Sequence, residues 1–237
     1  MLRRLFFLGC WCLAVLLLPS GYADDNVLRF AILSDIHVSA GNKNHTALKQ
    51  AVAEINTGNY AFVEVNGDLS NVGADSELTA VKQALDQLRA PTYVIPGNHE
   101  TNWSESAIQT FFKYWKNDRF VFRRGNCLFV GFDTGPYMKM GDGHVKAEDL
   151  HWLRRTLKEN VTPQTTLIVF AHYPLITPDL DNAPDVIALL HQYHAAAIFA
   201  GHYHMMNYYN ADNMAGIFCR SLFMNKTFGY SIAEIDG

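Results

Sequence analysis

From residue 27 onward, short apolar runs alternate with segments whose apolar residues recur at helical spacing. That alternation predicts a largely parallel sheet with helical crossovers. Leu28–Leu33, Tyr60–Val65, Thr92–Ile95, Thr166–Phe170 and Ala196–Ala200 read as strands. Between them, Thr46–Ile55, Ser76–Leu88, Ala147–Leu157 and Pro184–His191 read as helices; the second places Leu78, Val81, Leu85 and Leu88 on one face. The middle is less regular. Glu105–Trp115 has a helical pattern, and FVFRRGNCLFVGFDT predicts a hairpin turning at Gly125-Asn126, hence antiparallel pairing. After Tyr208, AGIFCRSLF and FGYSIAEI are separated by turn-like residues and read as antiparallel strands. No repeat or long linker interrupts the pattern, so one mixed α/β domain is the economical reading.

The first residues depart from this pattern. Arg3 and Arg4 precede an apolar run over 5–18, then Pro19 and the small-residue stretch ending at Ala23. This is the layout of a signal peptide over residues 1–23, cleaved after Ala23, with a domain over 24–237 exported to a periplasmic or extracellular space. The run falls short of the roughly 20 apolar residues a spanning helix needs, so no stable membrane span is expected after its removal. The whole chain has 237 residues and a net charge of −4, with 49% hydrophobic and 18% charged residues. Such a chain can bury one sizeable core, and it lacks the clustered Lys and Arg of a nucleic-acid footprint. Past the leader only Cys127 and Cys219 remain. Both sit in apolar runs and read as buried free thiols, a disulfide being the alternative.

Chemistry gathers where the apolar runs end. FAILSDIH delivers Asp35 and His37, AFVEVNGD delivers Asp68, and TYVIPGNHE delivers Asn98, His99 and Glu100. LIVFAHYP delivers His172, and AIFAGHYH delivers His202 and His204. Turn-forming Asp and Asn follow strands naturally, but turns do not call for His, and five of the ten histidines occur at these ends. In a parallel sheet the carboxyl ends of strands lie along one edge, where ligand crevices form. With His99 set aside, Asp35, His37, Asp68, Asn98, His172, His202 and His204 are too many ligands for one tetrahedral zinc. They suit two neighbouring ions sharing a carboxylate, and the donor types favour Mn, Fe or Zn over Ca or Mg.

In this order, DIH, GD, GNHE, the His of HYP and GHYH resemble the signature blocks of the calcineurin-like metallophosphoesterases, over residues 28 to about 205. A weaker similarity lies in GDGHVKAEDLHWLRRTL, where a glycine precedes a helix with a WL pair. The resemblance implies a four-layer α/β/β/α sandwich with two mixed sheets and a metal site at the strand carboxyl ends. It implies one ion on Asp35, His37, Asp68 and His204, a second on Asp68, Asn98, His172 and His202, and Asp68 as the bridge. It also implies hydrolysis of a small phosphomonoester or phosphodiester by a metal-bridging hydroxide, with His99 assisting the leaving group. His37 argues against the purple acid phosphatase branch. The competing readings are a non-catalytic binding module that keeps the fold and, disfavoured by the acidic balance, a nuclease.

Other residues receive plainer readings. Glu100 is a candidate catalytic residue, orienting His99 or a ligand, or else an acid at a helix N-terminus. Glu64 lies inside a strand run and is expected at a wetter edge, since a central strand rarely buries an unpartnered acid. His45, His151, His191 and His194 read as solvent-facing, whereas His144 lies in a glycine-flanked loop with reach toward the site. Trp103, Tyr137, Tyr173 and Tyr203 are candidates to line a pocket. Met205-Met206 reads as packing.

Overall fold

The computed structural model describes residues 27–136, 141–223 and 228–236. The expected leader over 1–23 and the pocket candidate Tyr137 lie outside the described residues. In chain order the elements are β1 (Val27–Leu33), α1 (Asn44–Ile55), β2 (Val63–Asn66), α2 (Asp75–Leu85), β3 (Thr92–Ile95), α3 (Asn98–Thr101), α4 (Gln109–Trp115) and β4 (Phe120–Arg124). They continue with β5 (Cys127–Phe132), α5 (Ala147–Asn160), β6 (Thr166–Ala171), α6 (Ala183–His191), β7 (Ala197–Ala200), β8 (Asn207–Ala211), β9 (Met214–Phe218) and β10 (Ser231–Asp236).

The strands form two mixed sheets, ordered β10-β1-β2-β3 and β4-β5-β6-β7-β9-β8. β1, β2 and β3 run parallel, as do β5, β6, β7 and β9, while β10, β4 and β8 are antiparallel edges. Period-two alternation sorts the side chains into layers. Phe30 and Ile32 of β1 face Phe129, Phe170 and Phe199 across the gap between the sheets. There Phe30 stacks on Phe62 at 4.6 Å and meets Phe129 edge-on at 5.6 Å, the offset geometries that aromatic quadrupoles favour. On the opposite face of the first sheet, Ala31, Leu33, Val63 and Val65 pack beneath Leu48, Val52, Leu78 and Val81 of α1 and α2. The second sheet is covered likewise by Leu153 and Leu157 of α5 and Val186 and Leu190 of α6. The result is the expected α/β/β/α sandwich, with helices on both outsides and an aromatic layer between the sheets. Among the described residues no helix is long and apolar enough to cross a membrane.

Four details differ from the pattern reading. β8 is an edge strand of polar sequence with Tyr208 73% exposed, so no alternating apolar face marks it. β9 pairs antiparallel with β8 but parallel with β7; AGIFCRSLF therefore extends the parallel sheet as well as closing a hairpin. α4 starts at Gln109 rather than near Glu105, because Ala107 and Ile108 adopt φ of 46° and 73°, which a right-handed helix excludes. Glu64 faces no wet edge: β2 lies between β1 and β3, and the side chain is fully buried in the gap between the sheets with no hydrogen-bond partner on either oxygen. Burial pushes its carboxyl well above the usual glutamate range, which favours the neutral acid. Cys127 and Cys219 are free and buried, in keeping with the thiol reading.

Candidate metal centre

Each expected ligand follows a strand whose apolar residues anchor it, so the sandwich itself delivers them to one place. Asp35 and His37 follow β1, Asp68 follows β2, Asn98 opens the turn after β3, His172 follows β6, and His202 and His204 follow β7. Ligand atoms of Asp35, His37, Asp68 and His204 lie within 4.8 Å of one another, as do those of Asp68, His172 and His202. Asn98 joins the second group, its Oδ1 lying 3.1 Å from both His172 Nε2 and His202 Nδ1. Asp68 belongs to both groups. Its Oδ2 is 3.2 Å from His172 Nε2 and 3.6 Å from His37 Nε2. All seven expected ligands are thus gathered.

The backbone here is strained. Asp35, His37, Asp68, His202 and His204 have φ of 49°, 50°, 51°, 69° and 52°, a left-handed conformation that costs a non-glycine residue energy and concentrates at functional sites. Close approach of loops is also required. A Cβ on Gly97 would meet Asp68 Oδ1 at 2.2 Å, and one on Gly67, where φ is +80°, would meet His172 Nδ1 at 2.5 Å. Only glycine fits at such contacts.

Supporting contacts set the tautomers and orientations. His172 Nδ1 donates to the Asn66 carbonyl at 2.8 Å, which turns the Nε2 lone pair toward Asp68 and Asn98. Asp35 accepts from Ser34 Oγ at 2.6 Å and from the His202 backbone N–H at 3.0 Å. His99 donates its backbone N–H to Asp68 Oδ1 at 3.0 Å and its Nδ1–H to the Asn71 carbonyl. Asn71 thus acts through its main chain. Glu100 reaches neither His99 nor a ligand side chain: its Oε1 accepts from Ser70 N and Oγ at 2.9 and 2.7 Å, and its Oε2 from Gly97 N at 3.0 Å. The carboxylate ties the loop bearing Asp68 to the turn bearing Asn98.

The donor set fits cations better than protons. His37 Nε2 and His204 Nε2 face each other at 3.0 Å, an approach of two ring nitrogens that calls for a proton or a metal ion between their lone pairs. Among the described residues, the ion partners of buried Asp35 and Asp68 are imidazoles, with no ammonium or guanidinium. Charges and burial divide the histidines. Burial lowers His37 to about 4 against the pull of Asp68, and burial with His172 lowers His202 to about 4. Burial also opposes charge on His172, but Asp68 and Asp35 push it up to about 10. Burial raises both carboxyls, yet His204 holds Asp35 low and His172 holds Asp68 low. To hold a metal ion, His172 would have to give up this proton, because only the neutral imidazole is a ligand.

The remaining candidates separate. Tyr173 is buried and packs on His202 at 4.1 Å between ring centroids, behind the centre rather than lining a pocket. Trp103 and Tyr203 are exposed beside it, and the Tyr203 hydroxyl donates to Asp179. Met205 and Met206 are exposed, not packed. His144 pairs with Asp181 at 2.7 Å and His191 with Asp212 at 3.1 Å; His45 borders a groove between α1 and α2, and His151 and His194 are exposed. Sequence reading passed over Ser34, Asn66, Ser70 and Phe223. The first three adjoin the motifs, which is a usable signal; Phe223 packs on His37 and His204 at 5.1 and 5.3 Å from a distant apolar run, which is none.

Comparison with known proteins agrees with this geometry. The family model described as calcineurin-like phosphoesterase matches residues 28–206. A probable cyclic nucleotide phosphodiesterase of Vesicomyosocius okutanii is 24% identical over 212 residues, covering 82% of this chain and 88% of that protein. A probable glycerophosphodiester phosphodiesterase of Arcobacter nitrofigilis is 27% identical over 169 residues, 63% of this chain and 58% of that protein; the chain therefore spans little more than half of this second relative. In fold, a dimetal phosphatase from Danio rerio superposes with a TM-score of 0.72 at 17% identity, over 90% of this chain and 94% of that one. By the extent of the family match and the residues it spans, the chain belongs to the calcineurin-like phosphoesterases and is a metal-dependent phosphoesterase.

Proposed function

We propose that the chain hydrolyses a small phosphodiester, with one metal ion on Asp35, His37, Asp68 and His204 and a second on Asp68, Asn98, His172 and His202. The observation that carries this reading is the position of Asp68, whose carboxylate belongs to both groups of ligand atoms. The family implies two metal ions, and imidazole with carboxylate and amide oxygens favours Mn, Fe or Zn. When bound, such ions supply Lewis acidity toward phosphoryl oxygens and make water nucleophilic at neutral pH.

The chain's own residues orient and protonate. With Nδ1 committed to the Asn71 carbonyl, the other ring nitrogen of His99 is the one left to face substrate. From there it can give a proton to the leaving oxygen, the general-acid role expected of a positioned imidazole. Glu100 fixes the two loops whose spacing sets the distance between Asp68 and Asn98. The diester preference draws on the relatives, whose descriptions name a cyclic nucleotide phosphodiesterase and a glycerophosphodiester phosphodiesterase. The leader-type sequence over residues 1–23 supports export.

The test uses metal-stripped protein reloaded separately with Mn, Fe or Zn and assayed on phosphodiesters and phosphomonoesters. His99→Ala is expected to lower kcat by about 10²–10⁴-fold while keeping two metal ions per chain. Turnover by the metal-stripped protein, or full activity of His99→Ala, would overturn the assignment.

A further inference from the structure

The imidazoles of the centre form a row that ends in exposed aromatic rings. His99 and His37 lie 4.5 Å apart between ring centroids. Trp103 stands 6.3 Å beyond His99, and Phe223 lies 5.1 Å from His37 and 5.3 Å from His204. Trp103 is 55% exposed and Phe223 40% exposed. Val72, next to the Asn71 carbonyl that holds His99, is exposed as well, and so are Met205 and Met206 beyond His204.

Single exposed apolar residues need no explanation, but large ones gathered around a polar centre mark a binding surface. The composition of this rim selects among phosphodiesters. A glycerol-type alcohol presents hydroxyls, which call for hydrogen-bonding side chains; a Phe offers none and a Trp a single N–H donor. A flat heteroaromatic ring presents a π-face, which an aromatic side chain meets by stacking whatever the ring's substituents. Trp103 adjoins His99, the residue assigned to the leaving oxygen, so the indole borders the space into which a leaving group departs.

We propose that Trp103 is a specificity-determining residue that holds a flat heteroaromatic ring, with Phe223 bounding the far side of the site, so that the centre selects nucleobase-bearing phosphodiesters over glycerophosphodiesters. The proposal rests on the phosphodiesterase reading above and decides which kind of diester that site takes. Trp103 stacks on the ring at the leaving-group side, and Phe223 walls the opposite end of the imidazole row.

Metal-reconstituted wild type, W103A, W103F and F223A would be assayed on cyclic AMP and on glycerophosphoethanolamine, and titrated with AMP while tryptophan emission is followed. Wild type is expected to prefer cyclic AMP in kcat/KM. The ratio of the two kcat/KM values should fall roughly tenfold in W103A, through KM, and less in F223A. W103F should restore most of it. AMP should quench the emission of wild type and quench W103F less. A wild-type preference for glycerophosphoethanolamine, or an unchanged ratio in W103A, would overturn the ring contact while leaving the phosphodiesterase reading in place. Quenching that depends on Trp103, with neither ester hydrolysed, would instead remove the phosphodiesterase reading and keep the contact.

Discussion

Asp35 and Asp68 at the ends of β1 and β2, and Asp118, Asp133 and Asp149 around the end of β5, are all buried carboxylates, yet they are neutralised by different means. In the second group Lys146 Nζ lies 2.7 Å from Asp118, 3.0 Å from Asp133 and 3.3 Å from Asp149, and Arg119 pairs with Asp149 from the other side. Burial alone would discharge Lys146, but the acids around it hold its pKa above the usual lysine range. By ligand-atom spacing both groups could hold a cation. The difference is that one already contains an ammonium, whereas the partners of Asp35 and Asp68 are imidazoles that become ligands once neutral. Acid count therefore does not distinguish a metal centre from a structural ion cluster; the kind of base beside the acids does.

The sharpest way to break this comparison is to remove the built-in cation. Lys146→Met leaves three buried carboxylates short of a partner, and breaking a buried pair from one side costs about 3–5 kcal/mol. Thermal or urea unfolding should show a loss of that size, with metal content per folded chain unchanged. A loss below about 1 kcal/mol would mean that Arg119 alone neutralises the cluster. The matching change at the metal centre is Asp68→Asn. Outer contacts of a metal site are already worth 10–100-fold, so losing the shared carboxylate should lower kcat/KM by at least ~100-fold, about 2.7 kcal/mol, and leave fewer than two ions per chain by elemental analysis. Two retained ions with full activity would end the claim that Asp68 is shared.

How far the sequence discloses such a contrast depends on the kind of signal. His37, His172, His202 and His204 stand out because nothing in turn chemistry asks for imidazole after a strand, and the strands that deliver them are apolar and periodic. The Lys146 cluster carries no comparable mark, since Asp118, Asp133 and Asp149 are ordinary surface or turn residues until the fold brings them together. β8 is missed for a related reason: an exposed edge strand has no face to bury. The parallel pairing of β9 with β7 is set by the sheet's topology, not by local pattern. Phe223 reaches His37 across 186 positions of sequence, a contact that only tertiary structure supplies.

Glu64 extends the comparison to a third solution, in which a buried acid keeps its own proton. Its carboxyl lies in the aromatic layer between the sheets without a hydrogen-bond partner, and burial raises its pKa well above the usual range. The unfolded chain releases this proton near pH ~4.3, so above that value folding must take a proton up. Stability contributed by this site therefore falls as pH rises from there toward the folded-state pKa. Glu64→Gln keeps the shape and removes the titration. Each unit of upward shift is worth ~1.4 kcal/mol, so the metal-free variant should match wild type near pH ~4 and exceed it by about 1 kcal/mol or more at pH ~8 in urea unfolding. Equal pH slopes for the two proteins would show that Glu64 titrates in the folded state as it does in the unfolded chain, and would overturn the proton-holding reading.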